Sequence, residues 1–480
     1  MMMTPTLPTS AAEGPAPPGY DIIVMMGQSN AFGCATDPAV PKPYDFSDPR
    51  IEVLPVFAKQ YPNWGQDVAK GANALVAALK GPFVRDNAYT GHADSQNPTP
   101  AKCDPLPNNQ IHFGSEGLHE MGLRYYAAYT VAVKAGGGPN PATGQPWSKE
   151  RAWEWYNARP WINGCNYLPS YAGNSTEFWQ DDTFNPALID KELTLAQSLG
   201  YNSVRILMQY LVWENRPESY KRHFSDFLEI AARHGLSVMP QFFDDCAFGL
   251  QPDVWKRTNP YIGKQDDPIP GVFFPNWSPS PGHSRVRDRS AWPRLKAYVQ
   301  DFLKTYQNDP RVLLWDLYNE PMSHGLGAES LPLVQAVFEW AWEVAPSQPL
   351  TVGAYGPGEL EAVALKLSDI VTFHQYPAPD TNRFKETGRP VICTEWMVRF
   401  NGSQVHKDVI ANTLPRLKQA RMGSYSWGLV KGRSQAQFEW GSQPGTPEPA
   451  VPFTDLFKDV DGTPYDAKEI EAIKKVSRDK

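Results

Sequence analysis

Two glutamates in this 480-residue chain stand directly after apolar runs that have the pattern of β-strands. Glu320 ends the run of residues 311–320, and Glu395 ends the run of residues 390–395. The carboxyl ends of parallel strands meet on one face of a barrel, where two acids can reach the same substrate. Most glycosidases cleave the glycosidic bond with such a pair of carboxyl groups. The two glutamates therefore predict glycoside hydrolysis at that face.

Eight strand-like runs alternate with amphipathic helical patterns from residue 147 onward, and these elements would position the glutamates. The predicted strands are residues 162–167, 203–208, 237–243, 312–318, 350–353, 370–374, 391–394 and 424–427. The helical patterns are residues 186–199, 220–234, 292–306, 331–344, 405–420 and 465–476. Apolar strands separated by helices indicate a parallel sheet, and eight such units fit an α/β fold of the (β/α)8 barrel type. A doubly wound open sheet is the alternative, but no glycine-rich phosphate-binding motif follows any of these strands.

Five short motifs at these strand ends resemble the retaining (β/α)8-barrel glycosidases, notably those of glycoside hydrolase family 5. They are Val-Arg-Ile, Asn-Glu-Pro, His-Gln-Tyr, Thr-Glu-Trp and a single Trp, at residues 204–206, 319–321, 374–376, 394–396 and 427. The resemblance covers residues ~150–478 and implies a double displacement at a β-glycosidic bond of an oligosaccharide or polysaccharide, without a cofactor. It implies that Glu320 is the general acid/base and Glu395 the nucleophile. The substrate-binding residues that it implies are Arg205, Asn319, His374, Tyr376 and Trp427.

The expected surroundings of the two glutamates agree with these roles. Arg205 and Tyr376 would favour the ionised form of Glu395 and lower its pKa. The charge of Glu395 and an apolar wall would raise the pKa of Glu320 and keep it protonated. Asn319 could donate a hydrogen bond to the sugar 2-hydroxyl. Each motif alone also has a structural explanation, such as a helix that begins at Glu-Pro, but their joint occurrence in this order favours catalysis.

Aromatic and acidic residues outside these motifs leave alternatives open. Trp427 offers a flat face to a sugar ring, whereas four further tryptophans either floor sugar subsites or pack in the core: Trp213, Trp255, Trp277 and Trp440. Asp244 and Asp245 either bind sugar hydroxyls or cap the segment that follows the third strand. That segment, residues 244–290, is long enough to predict a lid or a cleft wall.

Histidines and cysteines give no metal motif. His324 follows the acid/base glutamate and could touch substrate, whereas His223 and His234 lie in a helical pattern and are expected to be solvated. The sequence has neither an HExxH motif nor a cluster of cysteine and histidine, so we expect no metal site. The five cysteines are far apart and specify no disulfide framework.

The amino-terminal part of the chain carries a second candidate nucleophile, Ser29. The motifs Gly-Gln-Ser-Asn at residues 27–30 and Asn-Gln-Ile-His at residues 109–112 resemble the SGNH-type esterases of carbohydrate esterase family 6. Asn109 stands where that family has aspartate, and no central oxyanion motif follows. We therefore expect a shortened, inactive α/β segment that packs through an apolar helix at 117–134. The alternative is an acetylesterase, or a bifunctional esterase and glycosidase, that uses Ser29 and His112.

The composition of the chain and its glycine- and proline-rich stretches predict its domain boundaries. We expect a flexible leader at 1–20, the SGNH-like segment at 21–134, a Gly/Pro-rich linker at 135–146 and the barrel at 147–480.

With 45 basic and 52 acidic residues the net charge is −7, which argues against nucleic acid as a partner. No apolar run is long enough to span a membrane. The first twenty residues lack the pattern of a signal peptide, so the compartment stays open, although the family is compatible with a secreted or periplasmic location. The oligomeric state does not follow from the sequence.

Overall fold

The computed structural model of this protein describes residues 144–250 and 253–478. The expectations for Ser29, His112, the helix at 117–134 and the segment at 21–134 lie outside the described residues. Within the described ranges, no helix combines the length and the apolar character that a membrane crossing needs.

Eight parallel strands form a closed barrel, which confirms the predicted (β/α)8 architecture and excludes the open sheet. The barrel strands are β1 Asn163–Tyr167, β2 Ser203–Leu207, β3 Ser237–Asp244, β4 Trp315–Asn319, β5 Leu350–Tyr355, β6 Val371–His374, β7 Val391–Trp396 and β10 Gly423–Trp427. Each strand pairs with the next in this order, and β10 pairs with β1. A short antiparallel hairpin, β8 Phe400–Asn401 and β9 Gln404–Val405, follows β7.

Long helices cover the outside of the barrel, and short helices lie within the loops between its strands. The α-helices are Lys149–Asn157, Ser175–Trp179, Pro186–Ser198, Tyr210–Asn215, Pro217–Arg233, Val254–Thr258, His283–Arg287, Trp292–Thr305, Leu331–Val344, Glu359–Leu367, Val409–Gln419 and Ala467–Arg478. Short 3-10 turns are Arg289–Ala291, Gly327–Ser330 and Lys385–Thr387. The long helices are amphipathic, and the side chains that Pro217–Arg233 buries include Tyr220, Phe224, Phe227, Leu228 and Ala231. This spacing places one apolar face against the barrel.

One predicted helix begins later than its pattern suggests. The expectation of a helix at 405–420 was wrong at its start, because Val405 pairs in the β8–β9 hairpin and the helix begins at Val409. Asp408 before it has a φ of +55°, a left-handed backbone that interrupts a helix.

The amino-terminal end of the barrel is closed by apolar side chains. Trp147 and the buried residues of helix Lys149–Asn157 pack against residues at the starts of the strands, namely Ile162, Met239, Leu313, Leu314, Ile370, Ile392 and Tyr425. Tyr156 of this helix donates a hydrogen bond to the Arg421 carbonyl at 2.8 Å, just before β10. A sealed bottom leaves the carboxyl ends of the strands as the face on which polar groups can meet.

Candidate active site

Arg205 on β2 is the centre of the polar network in the barrel, and only 1% of its surface is exposed. Its Nε and Nη2 donate to Asp316 Oδ2 at 3.0 and 2.7 Å. Nη1 donates to Asn166 Oδ1 and to Glu395 Oε1, both at 2.8 Å, and Nη2 also donates to Asn319 Oδ1 at 2.6 Å. Burial opposes its charge, but the carboxylates of Asp316 and Glu395 outweigh burial and hold the pKa of Arg205 above its ordinary value.

Glu395, at the end of β7, accepts hydrogen bonds on both carboxylate oxygens. Arg205 donates to Oε1, and both the Tyr376 hydroxyl and the Trp427 Nε1 donate to Oε2 at 2.8 Å. Donors of this kind stabilise the ionised carboxylate and fix its direction. Trp427 therefore holds Glu395 in addition to presenting its ring to the cavity.

Glu320, one residue beyond the end of β4, faces a different set of groups. His374 Nδ1 lies 2.6 Å from its Oε1, and the Cys246 thiol donates to its Oε2 at 3.3 Å. The backbone of Glu320 has a φ of +38°. A non-glycine residue in this left-handed region stores roughly 1–3 kcal/mol of strain, and such strain concentrates at functional sites. The amide of Glu320 still donates to the Gly353 carbonyl on β5 at 3.0 Å, which ties the residue to the sheet.

The expected upward shift in the pKa of Glu320 was wrong in direction. Burial does favour the neutral form, but the hydrogen bond and the charge of His374 outweigh burial and hold the pKa of Glu320 below its ordinary value. The pKa of Glu320 is lowered because His374 Nδ1 lies between the two acids, 2.6 Å from Glu320 and 3.5 Å from Glu395. Nε2 of His374 is buried and has no hydrogen-bond partner among the described residues.

The two glutamates lie close enough to act on one bond. One carboxylate oxygen of Glu320, His374 Nδ1 and one carboxylate oxygen of Glu395 all lie within 4.8 Å of one another. Carboxyl groups ~5–5.5 Å apart are typical of retaining glycosidases, whereas inverting enzymes separate them by ~6.5–9.5 Å to admit a water molecule. The observed spacing fits the retaining geometry.

The same three atoms have the spacing of a cation site, which the sequence motifs did not predict. Their surroundings favour hydrogen bonding instead. Both oxygens of Glu395 already accept hydrogen bonds, and the Arg205 guanidinium 2.8 Å from Glu395 would repel a cation. The donor set therefore fits a hydrogen-bonded acid pair better than a metal centre.

Asp244 and Asp245 are saturated by protein donors, which favours the capping alternative. Asp244 accepts from Asn319 Nδ2 at 2.9 Å, from Trp277 Nε1 at 2.7 Å and from the Cys246 amide at 3.0 Å. Asp245 accepts from the Tyr318 hydroxyl at 2.6 Å, the Met322 amide at 2.9 Å and the Ser330 hydroxyl. Burial raises the pKa of Asp244 to about 6 and that of Asp245 to about 7.

A cavity of about 280 Å³ opens above the two glutamates. Its polar lining includes Asn319, His374, Gln375, Tyr376 and Thr454, and its aromatic lining is Phe248, Phe273, Phe274, Trp277, Tyr355, Trp427, Trp440 and Phe453. Flat apolar rings beside a few convergent polar groups form a surface that suits a sugar ring.

The further tryptophans and His324, which the sequence left open, divide into residues that line the cavity and residues that lie elsewhere. Trp277 and Trp440 line the cavity, and so does His324, whose ring contacts that of Phe248 with centroids 4.5 Å apart. Trp213 is buried elsewhere and donates to Asp301 at 2.8 Å, and Trp255 projects from helix Val254–Thr258 with 54% of its surface exposed. Neither of these two lines the cavity.

The expectation that His223 and His234 are solvated was wrong. Both side chains are largely buried, with 16% and 14% exposed. His223 Nδ1 lies 3.0 Å from the Trp179 carbonyl, and His234 Nε2 lies 2.9 Å from Asp190. Neighbouring helices supply these partners, and a helical pattern alone does not reveal them.

The sequence reasoning missed three residues of the site, Asn166, Asp316 and Cys246. Asp316 and Asn166 are polar residues inside buried strands and contact Arg205 directly. A charged residue within an apolar strand pattern is a usable signal for Asp316, because such a residue must find a partner. Cys246 lies in the segment after β3, and nothing in the sequence indicates that its thiol reaches Glu320.

Comparison with known proteins gives structural likenesses of low similarity. The exo-β-1,4-mannosidase from Opitutaceae bacterium strain TAV5 is 18% identical with a TM-score of 0.45, over 70% of this chain and 61% of that chain. The endo-β-1,4-mannanase from Thermotoga petrophila is 13% identical with a TM-score of 0.42, over 66% of this chain and 77% of that one. The glycoside hydrolase family 5 mannosidase from Rhizomucor miehei is 12% identical with a TM-score of 0.41, over 65% and 91%. No protein-family model and no curated protein matches the chain.

Proposed function

We propose that this protein is a retaining glycoside hydrolase that acts on β-linked oligosaccharides or polysaccharides. The observation that carries the proposal is the spacing of Glu320 and Glu395, since one carboxylate oxygen of Glu320 lies within 4.8 Å of one carboxylate oxygen of Glu395 in the same cavity. The three donors on Glu395 prepare one acid as an ionised nucleophile, while Glu320 faces a histidine and a thiol. Two acids in such different surroundings can take different roles in one reaction.

In the first step, Glu395 attacks the anomeric carbon and Glu320 donates its proton to the glycosidic oxygen, so that the leaving group departs as an alcohol. In the second step, Glu320 removes a proton from water, and the resulting hydroxide releases the sugar from Glu395. Arg205, Tyr376 and Trp427 hold the nucleophile in place. Asn319 lines the cavity beside Glu320, where the sugar 2-hydroxyl would lie, and its Nδ2 also donates to Asp244 at 2.9 Å.

The test of these roles is a pair of variants assayed on aryl β-glycosides with azide. Glu395→Ala should lose at least ~10³-fold in kcat, because no residue replaces the nucleophile. Any azide rescue should then give the glycosyl azide of inverted configuration. Glu320→Ala should keep its first step on dinitrophenyl glycosides, whose leaving groups need no proton, and azide should give the product of retained configuration.

Glu339→Gln is the matched control, since Glu339 is exposed on helix Leu331–Val344 and should leave activity unchanged. Equal dependence of both active-site variants on leaving-group pKa would show that the roles are wrong. Binding of sugars without turnover by the wild type would contradict the proposal and indicate a non-catalytic sugar-binding protein instead. The esterase alternative at Ser29 stays a prediction.

A further inference from the structure

The long segment after β3 packs against the loops that follow β1 and β2. Asn174, after β1, donates to the Asn276 carbonyl at 3.0 Å and to Gln265 Oε1 at 2.9 Å. Gln209, after β2, donates to the Pro279 carbonyl at 3.4 Å, and the Tyr210 amide donates to the Ser280 hydroxyl at 3.1 Å. Asn174 and Gln209 are both buried under this segment. Residues 259–282 therefore cover the ends of β1 and β2.

The same segment then joins the loop that follows β10. The Phe274 amide donates to the Ser434 carbonyl at 3.0 Å, and the Gly445 amide donates to the Pro270 carbonyl at 2.9 Å. Gly271 has a φ of +88°, and a Cβ on it would lie 2.5 Å from the Thr446 amide nitrogen. Only glycine permits so close an approach. Main-chain hydrogen bonds of this kind fix residues 259–282 against the loop after β10. These residues form a wall of the cavity.

Aromatic rings form the inner face of this wall. Phe274 stacks on Trp277 with centroids 4.6 Å apart, and both rings contact Trp427, at 5.3 and 6.0 Å. The Trp277 indole is fixed by its hydrogen bond to Asp244. The residues that line the cavity come from β3 to β7, from β10 and from the loops after these strands, and none comes from β1, β2 or their loops. At about 280 Å³, the cavity is slightly smaller than the ~300–1,000 Å³ that is usual for ligand pockets.

The wall lies where a further sugar would extend on the non-reducing side. The sugar that Glu395 attacks must lie beside Trp427, which holds Glu395, and its leaving group must lie beside Glu320 on β4. Phe274 and Trp277 both contact Trp427, so a sugar that packs on Trp427 would direct the hydroxyls opposite its anomeric carbon toward these two rings. On the Glu320 side the lining residues His324, Tyr355 and Gln375 are partly or fully exposed and leave a route for the leaving group.

We propose that the site is a pocket for the terminal sugar of a chain, and that the enzyme removes single sugars from the non-reducing end. This inference rests on the proposed function. A glycan that continued past the attacked sugar would have to displace Phe274, Trp277 and the main-chain hydrogen bonds behind them. Internal cleavage is therefore excluded by the wall, whatever the sugar.

The experiment uses the full chain and p-nitrophenyl β-glycosides of glucose, mannose, galactose, xylose and N-acetylglucosamine. The β-disaccharide glycosides and the linear oligosaccharides and polysaccharides of the same sugars are assayed alongside them. The expected first products are monosaccharides and chains one sugar shorter, and p-nitrophenol should appear from the disaccharide glycosides only after a lag. Disaccharides among the initial products of a tetrasaccharide or longer chain, or internal fragments of a polysaccharide, would overturn the inference and leave the proposed function standing. Failure to hydrolyse any substrate would overturn the proposed function as well.

A variant that opens the wall provides a second measurement. Phe274 has a φ of +42°, a conformation that glycine adopts readily, so Phe274→Gly removes the ring without new backbone strain. The variant should release p-nitrophenol from disaccharide glycosides without a lag and raise their kcat/KM at least tenfold relative to the monoglycosides. Val254→Ala, on the exposed face of helix Val254–Thr258 in the same segment, is the matched control and should behave as the wild type. A folded Phe274→Gly protein with the wild-type ratio of rates would contradict the blocking role of the wall.

Discussion

Glu320 and Glu395 differ at the level of single atoms in the groups that surround them. Glu395 accepts three hydrogen bonds from an arginine, a tyrosine and a tryptophan, whereas Glu320 meets His374 and the Cys246 thiol. The first set fixes the position of the Glu395 carboxylate. The second set includes His374, whose hydrogen bond and charge lower the pKa of Glu320, so the protonation of Glu320 depends on this neighbour.

His374 should set the alkaline limit of activity. In His374→Asn the group that contributes most to lowering the pKa of Glu320 is lost, while the smaller contributions of Cys246 and His324 and the opposing effect of burial remain. Because the first step needs protonated Glu320, the alkaline limb of kcat/KM should move to higher pH in the variant. The measurement is the pH profile of kcat/KM on an aryl β-glycoside with a poor leaving group.

The control for this shift is the same variant on a dinitrophenyl glycoside. Its leaving group needs no proton, so the movement of the alkaline limb should be much smaller. An unchanged limb on both substrates would show that His374 does not govern the protonation of Glu320.

The residues that the sequence motifs singled out meet in the structure, but their electrostatics did not follow from the motifs. The side chains of Arg205, Asn319, His374, Tyr376 and Trp427 all lie at the two glutamates or in the network beneath them. The direction of the Glu320 pKa depends on distances of a few ångströms around one imidazole, which no spacing in the sequence encodes. Cys246 was missed for the same reason.

At the scale of elements, apolar runs located every barrel strand to within a few residues. β4 begins later than predicted, at Trp315, because Val312 makes only an isolated bridge with Val238 before the strand pairing starts. β8 and β9 went unpredicted, since strands of two mostly exposed residues carry no periodic pattern.

The contacts of the segment after β3 could not be predicted from local sequence patterns. Its length predicted a lid or a wall, and the structure shows a wall, but its partners lie far away in the sequence. Phe274 and Ser434, joined by a main-chain hydrogen bond, are 160 positions apart. Such contacts depend on the closure of the barrel and not on the composition of either loop.

At the scale of the whole molecule, buried aspartates should make stability depend on pH. Burial raises the pKa of Asp244 to about 6 and those of Asp245, Asp369 and Asp455 to about 7. Between pH ~4 and ~7 the unfolded chain releases these protons before the folded protein does. The free energy of unfolding should therefore be larger at pH 5 than at pH 8, as measured by urea denaturation.

Asp455→Asn isolates one of these contributions. Oδ2 of Asp455 is buried without a hydrogen-bond partner among the described residues, so a neutral amide should replace the carboxylate with little disturbance. From pH 5 to pH 8 the free energy of unfolding should fall by roughly 1–3 kcal/mol less in the variant than in the wild type. Glu339→Gln, at an exposed position, should reproduce the wild-type slope. An identical slope in Asp455→Asn would contradict the assignment.

If Glu320 and Glu395 perform a double displacement, the first product keeps the anomeric configuration of the substrate. Wild-type protein is mixed in D₂O with an aryl β-glycoside that it hydrolyses, and proton NMR follows the anomeric signals before mutarotation mixes them. Carboxylate oxygens within 4.8 Å predict that the β-anomer appears first. If the α-anomer appears first, the configuration is inverted and the double-displacement account is wrong.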